Sequence, residues 1–124
     1  MLGLHPVHVV LLATDLEKAR EFYQAKLGLQ LMDANPYALT FKSGPTQLTV
    51  SKSTTGTADE QTQATWVVDD LNAELAELRS RAVEIQEYDT PGLQTVHGIA
   101  DIGFARIAWI IDPAKNCLAI MQLK

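Results

Sequence analysis

The stretch that decides the fold is His8-Val-Val-Leu-Leu-Ala-Thr-Asp15-Leu16, and its pattern returns 55 residues later as Gln63-Ala-Thr-Trp-Val-Val-Asp-Asp70-Leu71. In each copy an apolar, β-branched run is typical of a strand, and a segment with helical spacing follows the Asp-Leu pair. Asp15 and Asp70 have the chemistry of helix N-caps, because a carboxylate accepts the free N–H groups of the first turn. The duplicated strand–helix unit predicts two similar modules whose matched positions converge on a cleft.

Each copy continues from its helix into three further predicted strands. Gly28 is placed to end the first helix in a left-handed cap. A long loop is predicted over Asp89–Gly103. The predicted strands are Val7–Thr14, Leu29–Asp33, Tyr37–Lys42 and Gln47–Lys52 in the first copy, and Ala64–Val68, Val83–Tyr88, Arg106–Ile111 and Cys117–Leu123 in the second. The repeated order predicts an α+β fold, with two tandem βαβββ modules forming a curved sheet around a cleft and helices on the outer face.

Length and composition restrict the class of protein. A chain of 124 residues predicts one domain, built of an N-terminal module (1–53), a linker (54–62) and a C-terminal module (63–124). The net charge of −5, without a cluster of Lys and Arg, argues against a nucleic-acid partner. No apolar run is long enough to span a bilayer, so no membrane partner is expected. The single cysteine, Cys117, allows no internal disulfide and favours a cytoplasmic location.

Alternation along the strands predicts which side chains face the cleft. Val9, Leu11 and Ala13 form a uniformly apolar set, which we place under the helix, so the alternate set faces the open side. The same reasoning on the other strands predicts a ligand-binding face lined by His8, Val10, Leu12, Thr49, Ser51, Gln63, Thr65, Ala119 and Met121. Trp109 and Tyr37 lie on strands whose phase the sequence leaves open. If they face the cleft, each offers a flat platform for a planar ligand.

Four motifs together resemble a known family. They are the run from His8 to Tyr23, Leu27-Gly28-Leu29, Val68-Asp69-Asp70-Leu71, and Asp112-Pro113-Ala114-Lys115-Asn116-Cys117-Leu118. The chain resembles the vicinal oxygen chelate superfamily of glyoxalases, bleomycin-resistance proteins and extradiol dioxygenases over almost its whole length. The resemblance implies the fold described above and says less about function, because this family hosts many chemistries. It also implies a homodimer, which an exposed sheet edge in each copy would favour.

The resemblance further implies four positions at which metal-dependent members hold their ion. Carried over, these are His8, Thr49, Gln63 and Ala119, where such relatives have His, Glu, His or Gln, and Glu. Ala119 has no donor atom, and Thr49 offers only a neutral hydroxyl. A divalent ion needs several strongly donating groups. We therefore expect no metal ion and no cofactor at the cleft.

Three functions remain open from the sequence. The leading hypothesis is a metal-free protein that binds a small apolar or planar ligand. The alternative is a glyoxalase-like lyase or related enzyme with His8 as general base, since histidine titrates near physiological pH. A third reading is a structural or regulatory module whose cleft is filled by side chains.

The loop residues and the cysteine carry separate expectations. A lid over the cleft, made by Tyr88, Leu93, His97 and Phe104, is an alternative to a loop that packs on its own sheet. Cys117 is expected to be a small buried hydrophobe and not a nucleophile, since no base or helix N-terminus is near it in sequence.

Overall fold

The structure is a computed structural model that describes residues 1–55 and 61–124. The described chain divides into two compact units. The first contains residues 1–55 and Pro113–Asn116, and the second contains residues 61–112 and Cys117–Lys124. Most of the predicted linker lies outside the described residues, while Thr62, predicted as its last residue, begins the first strand of the second unit.

The first unit is a four-stranded sheet with one helix. The sheet order is β1-β4-β3-β2, with β1 parallel to β4 and the other pairs antiparallel. After a short 3₁₀ turn (Leu2–Leu4), its elements are β1 (Val9–Ala13), α1 (Leu16–Arg20) with a π-helical continuation (Glu21–Lys26), β2 (Gln30–Asn35), β3 (Ala38–Ser43) and β4 (Thr46–Lys52).

The predicted cap and stop of the first helix are both confirmed. The carboxylate of Asp15 accepts the N–H groups of Glu17 at 3.0 Å and Lys18 at 3.2 Å. Gly28 has a φ of 75°, the left-handed conformation that glycine adopts without a steric penalty. The helix therefore begins and ends where local side-chain chemistry predicts.

The helix covers the predicted apolar face of the sheet. Leu11, Ala13, Leu48 and Val50 are all buried, which confirms the assignment of the faces on β1 and β4. The Tyr23 ring is also fully buried, with its centroid 5.2 Å from that of Phe22 and 5.8 Å from that of Phe41. The side chains that alternate with this core set lie on the open face of the sheet.

The second unit repeats the plan with a differently built sheet edge. The sheet order is β5-β10-β9-β8, and β5 is parallel to β10. Asp70 caps the helix by accepting the N–H of Ala73 at 3.1 Å, as predicted. The elements are β5 (Thr62–Val67), α2 (Leu71–Ser80), β6 (Asp89–Thr90), β7 (Leu93–Gln94), β8 (Ala100–Asp101), β9 (Ala105–Ile111) and β10 (Cys117–Leu123).

The prediction of a strand over Val83–Tyr88 is wrong. Val83 and Ile85 are buried, which produces the alternating pattern, but the segment forms no strand, and the N–H of Gln86 donates to the carbonyl of Trp109 at 2.9 Å. The place beside β9 is taken by the two-residue strand β8. Alternation reports which side of a segment is buried and does not report whether a neighbouring strand pairs with it.

The predicted loop over Asp89–Gly103 is partly ordered by β structure. Strands β6 and β7 form a small hairpin in which Asp89 pairs with Gln94 and Thr90 with Leu93, and Gly92 has a φ of 86° at its turn. The loop also contains β8. The two units together form the α+β fold that the sequence predicts. Within the described residues, neither helix has the length and apolar character needed to cross a membrane.

The turn between β9 and β10 is anchored by a buried amide. Asn116 has no exposed surface, and its Nδ2 donates to the carbonyl oxygen of Leu12 at 2.9 Å. Leu12 is on β1, at the edge of the first sheet, where a carbonyl that points away from the sheet has no ladder partner. The turn Pro113–Asn116 thus belongs structurally to the first unit.

The last residue of the chain forms an ion pair that predicts a pH effect. Lys124 Nζ lies 2.7 Å from Oδ2 of Asp101, and the N–H of Gly103 donates to Oδ1 at 2.9 Å. These contacts lower the pKa of Asp101 from its ordinary value, and the contact with Lys124 has the largest effect. Because the ionised carboxylate is favoured in the folded chain, its contribution is present above the unfolded-state pKa and is lost as pH falls through the folded-state pKa.

An NMR titration of the Asp101 carboxyl should therefore show a midpoint below that of an ordinary aspartate. Lys124→Gln should raise the midpoint, because it removes the positive charge beside the carboxylate. Lys115→Gln removes a charge in the other unit and should leave the midpoint where it is. An Asp101 midpoint unaffected by Lys124→Gln would contradict the role given to this ion pair.

Candidate functional site

The predicted lining residues of the first unit lie side by side. Val10 is the register partner of Thr49, and Leu12 is the partner of Ser51, so these four share the open face of β1 and β4. Val10 is 59% exposed and Leu12 is 40% exposed, so two aliphatic side chains of the edge strand β1 present apolar surface on this face. His8 is exposed and comes directly before β1.

The predicted lining residues of the second unit also fall on one face. Ala119 pairs with Thr65 on one side and with Trp109 on the other, while Met121 is the next residue but one along β10. The structure therefore decides the phase that the sequence left open, and Trp109 lies on the open face. Tyr37 precedes β3 and is exposed, so it does not belong to a strand face.

The indole of Trp109 crosses the middle of this face. Its Nε1–H donates to Oγ1 of Thr62 at 3.1 Å. Trp109 is on β9 and Thr62 is on β5, with β10 between them, so the ring spans β10. Ala119 is 0% exposed and Cys117 is 3% exposed, which this covering ring explains. Ala119, predicted to line the ligand-binding face, offers no exposed surface of its own in this structure, and its role in ligand binding stays a prediction.

Tyr88 completes an aromatic platform with Trp109. The two ring centroids are 5.5 Å apart and the rings are nearly perpendicular, at 89°, which is a favoured edge-to-face arrangement. We use "aromatic platform" below for the Trp109 and Tyr88 rings together. The Tyr88 ring stands at the side of the indole, and the lid role considered for Tyr88 stays a prediction.

The other three candidates for the lid are held by local structure and backbone hydrogen bonds. Leu93 is in the β6–β7 hairpin, and the carbonyl of His97 is bound by Nη2 of Arg79 at 2.9 Å. Phe104 is 66% exposed, and its carbonyl accepts the N–H of Lys124 at 3.0 Å. These hydrogen bonds hold the backbones of His97 and Phe104. A lid role for Leu93, His97 and Phe104 stays a prediction.

Gln63 has a structural role. It is one of the four positions, His8, Thr49, Gln63 and Ala119, that correspond to the metal ligands of metal-dependent relatives, and we call these the inherited positions. The register of β5 and β10 shifts between Cys117 and Leu118, which pair with Thr62 and Ala64, so that Gln63 lies at the irregularity. Its Oε1 accepts the N–H of Cys117 at 2.9 Å. The side chain thereby satisfies a backbone donor at the irregularity, and Cys117 itself is buried as predicted.

The inherited positions do not fit a divalent ion. His8 offers one imidazole and Thr49 a neutral hydroxyl, the amide oxygen of Gln63 is engaged with the backbone, and Ala119 is a methyl group under the indole. Within residues 1–55 and 61–124, no group of three or more His, Cys, Asp or Glu side chains is arranged to hold a metal ion. The donor set therefore lacks the anionic or strongly donating groups that such an ion requires.

Two residues of this site were missed in the sequence. Thr62 was placed in the linker, and Thr95 in a loop, where its hydroxyl accepts the N–H of Tyr88 at 2.8 Å. Their roles arise from contacts with residues far away in sequence or across a hairpin. A threonine in a polar stretch carries no signal of its own for such a role.

A separate depression in the first unit does not coincide with the predicted lining. It is bordered by residues from α1 and its N-cap, from the β2–β3 turn and from the end of β4, among them Asp15, Glu17, Arg20, Asn35 and Lys52. The carboxylate of Asp15 caps the helix, and Oδ1 of Asn35 accepts the N–H groups of Tyr37 and Ala38. These groups serve the local backbone, so we assign the depression no function.

Solved structures share the fold over nearly the whole chain. A glyoxalase/bleomycin resistance protein/dioxygenase from Alicyclobacillus acidocaldarius has a TM-score of 0.74 at 19% identity, covering 96% of this chain and 91% of that one. TnmS3, an antibiotic binding protein from Streptomyces sp. CB03234, has a TM-score of 0.74 at 24% identity, covering 97% and 96%. A lactoylglutathione lyase from Agrobacterium tumefaciens has a TM-score of 0.72 at 18% identity, covering 95% and 92%. At these identities the likeness shows the fold alone.

The sequence itself establishes the family. No curated protein shows a significant match to the chain. The sequence profile of the Glyoxalase/Bleomycin resistance protein/Dioxygenase superfamily matches residues 5–116, which is nearly all of the sequence. The resemblance noted from its motifs is thus confirmed, and the chain belongs to the glyoxalase/bleomycin resistance protein/dioxygenase superfamily.

Proposed function

We propose that this protein binds a small apolar or planar organic molecule on the open face of its sheets, without a metal ion. The observation that carries the proposal is the indole of Trp109, which lies across β10 where metal-dependent relatives would present a ligand side chain. Ligand sites are typically apolar and aromatic surfaces with a few polar groups that orient the ligand. Thr65 beside Ala119, and Thr49 and Ser51 in the other unit, supply such groups.

The absence of suitable donors favours binding over metal-assisted chemistry. A glyoxalase-like reaction needs an ion to polarise the substrate and a strong base beside it. The exposed His8 is the only imidazole among the four inherited positions. Sequestration of a ligand requires neither an ion nor a base, and the same fold occurs in TnmS3, an antibiotic binding protein.

We also propose a homodimer and a cytoplasmic location. Val10 and Leu12 in one unit, and Val67 and Leu123 in the other, are apolar side chains with 40% or more of their surface exposed. Exposed apolar surface favours association with a second copy, and so does the position of β1 and β5 as the end strands of their sheets. The cytoplasmic location rests on the single, buried cysteine.

Titration calorimetry tests the proposal directly. The protein, purified without chelator, is titrated with a panel of planar aromatic compounds that includes bleomycin-type drugs, with and without EDTA. We expect submillimolar binding of at least one compound, unchanged by EDTA, and less than stoichiometric metal by elemental analysis. Light scattering should give twice the chain mass of 13.6 kDa.

The other outcomes separate the alternatives. Stoichiometric zinc, nickel or iron that is required for binding would overturn the metal-free proposal and favour the lyase. Failure of every compound to bind at millimolar concentration would favour the structural or regulatory module. A monomeric mass would refute the homodimer.

A further inference from the structure

Thr95 brackets the backbone of Tyr88 on both sides. The Tyr88 N–H donates to Oγ1 of Thr95 at 2.8 Å, and the Thr95 N–H donates to the Tyr88 carbonyl at 2.9 Å. The Thr95 hydroxyl also donates to Oε2 of Glu87 at 2.8 Å. One residue thus makes three hydrogen bonds at the base of the β6–β7 hairpin, and the one to the carboxylate is charge-assisted.

The hairpin beyond these bonds has little of its own to hold it. Strands β6 and β7 contain two residues each, and their side-chain bonds, from Thr90 Oγ1 to the Leu93 carbonyl and from Gln94 Nε2 to Asp89 Oδ1, are both 3.3 Å long. A two-stranded hairpin is at best marginally stable in water. The hydrogen bonds from Thr95 at the base of the hairpin therefore help to set the orientation of Tyr88.

We propose that Thr95 is a positioning residue whose hydroxyl holds Tyr88 edge-on against Trp109, and so sets the extent of the aromatic platform that a planar ligand meets. The ring of Tyr88 stands at one edge of the indole, with centroids 5.5 Å apart. If Tyr88 turns away, the indole loses the ring that stands against its edge. The effect on ligands rests on the proposed function, whereas the arrangement of the two rings does not.

Thr95→Val removes the hydroxyl while it keeps the size and branching of the side chain. In ¹⁵N-labelled protein we expect hydrogen exchange of the Tyr88 amide to become roughly tenfold faster, since the loss of such a bond opens the segment locally. We also expect the Trp109 indole N–H resonance, assigned with Trp109→Phe, to shift as the Tyr88 ring current moves away. Thr95→Ser retains the hydroxyl and should restore both signals.

Thr46→Val is the matched control. The hydroxyl of Thr46 donates to the Ser43 carbonyl at 3.0 Å in a turn of the first unit, so its removal has a similar local cost far from Tyr88 in sequence. This variant should leave the Trp109 resonance unchanged. An unchanged Trp109 resonance in Thr95→Val, or a Thr95→Ser protein that behaves like Thr95→Val, overturns the proposal. If Thr95→Val does not fold, a Tyr88 amide that exchanges in the wild-type protein as fast as an unprotected amide overturns it as well.

Dye binding separates this inference from the proposed function. Acridine orange, a planar aromatic dye, should bind Thr95→Val at least about threefold more weakly than wild type, with recovery in Thr95→Ser. If the dye binds wild type and all variants equally, the positioning role fails while ligand binding stands. If wild type binds no dye and the resonances still respond to Thr95→Val, the positioning role stands and the proposed use of the platform fails.

Discussion

Replacing Trp109 with alanine should weaken the binding of planar aromatic compounds roughly tenfold or more. Stacking of a planar ring on an aromatic side chain contributes about 1–3 kcal/mol, and the indole is the largest flat group on this face. Titration calorimetry with the best compound from the panel measures the change. Binding that is unaffected by Trp109→Ala would place the ligand elsewhere on the protein.

Trp109→Ala should also change the reactivity of the Cys117 thiol in the absence of any ligand. Cys117 is 3% exposed on the strand that the indole crosses, so Trp109→Ala should make its thiol react roughly tenfold faster with a thiol reagent. Trp109→Phe keeps an aromatic cover and loses only the bond to Thr62, so it should protect Cys117 better than alanine does. Equal thiol reactivity in wild type and Trp109→Ala would show that the indole is not what covers β10.

Asn116→Ala should lower the free energy of unfolding by about 1–3 kcal/mol, which is the usual cost of leaving a buried hydrogen-bonding partner unsatisfied. The fully buried amide donates to the carbonyl of Leu12 at 2.9 Å and fixes the β9–β10 turn to the edge of β1. Urea denaturation measures the change. Lys115→Ala alters the exposed neighbour in the same turn and should stay within about 0.5 kcal/mol of wild type.

Asn116→Asp tests whether the donor itself matters. The new carboxylate is almost the same size as the amide but cannot donate to the Leu12 carbonyl, and its burial disfavours the charged form. We expect a loss of stability at neutral pH at least as large as that of Asn116→Ala, with partial recovery at acidic pH, where the protonated carboxyl donates again. A loss that does not depend on pH would point to packing instead of the hydrogen bond.

Several features of the fold were predictable because they depend on neighbours close in sequence. The caps at Asp15 and Asp70 use N–H groups two or three residues away, and Gly28 ends the helix through its own backbone conformation. The buried set Leu11, Ala13, Leu48 and Val50 follows from the alternation of side chains along a strand. These local rules were sufficient for the α+β class and for the sides of the sheets.

One error arose where the same pattern has two structural causes. Val83 and Ile85 are buried, and this burial imitates the signature of a strand although Val83–Tyr88 has no ladder. The place of Gln63 in the ligand-binding face stays a prediction, but the sequence did not indicate that Gln63 also lies at a register shift, which only the pairing of β5 with β10 creates. Neither the pairing partner nor the register is contained in the alternation itself.

The sequence by itself determined the duplicated plan, the family and the sides of the sheets, and it showed that two of the four inherited metal positions lack strong donors. Only the tertiary structure decided what occupies those positions instead. The indole of Trp109 reaches Thr62 across β10, and Tyr88 stands against it because Thr95 holds its backbone. These contacts join residues from two strands, β5 and β9, and from the base of the β6–β7 hairpin. Periodicity along one strand fixes the face of a side chain, whereas its neighbours across the sheet are fixed by strand order and register, which arise only when the chain has folded.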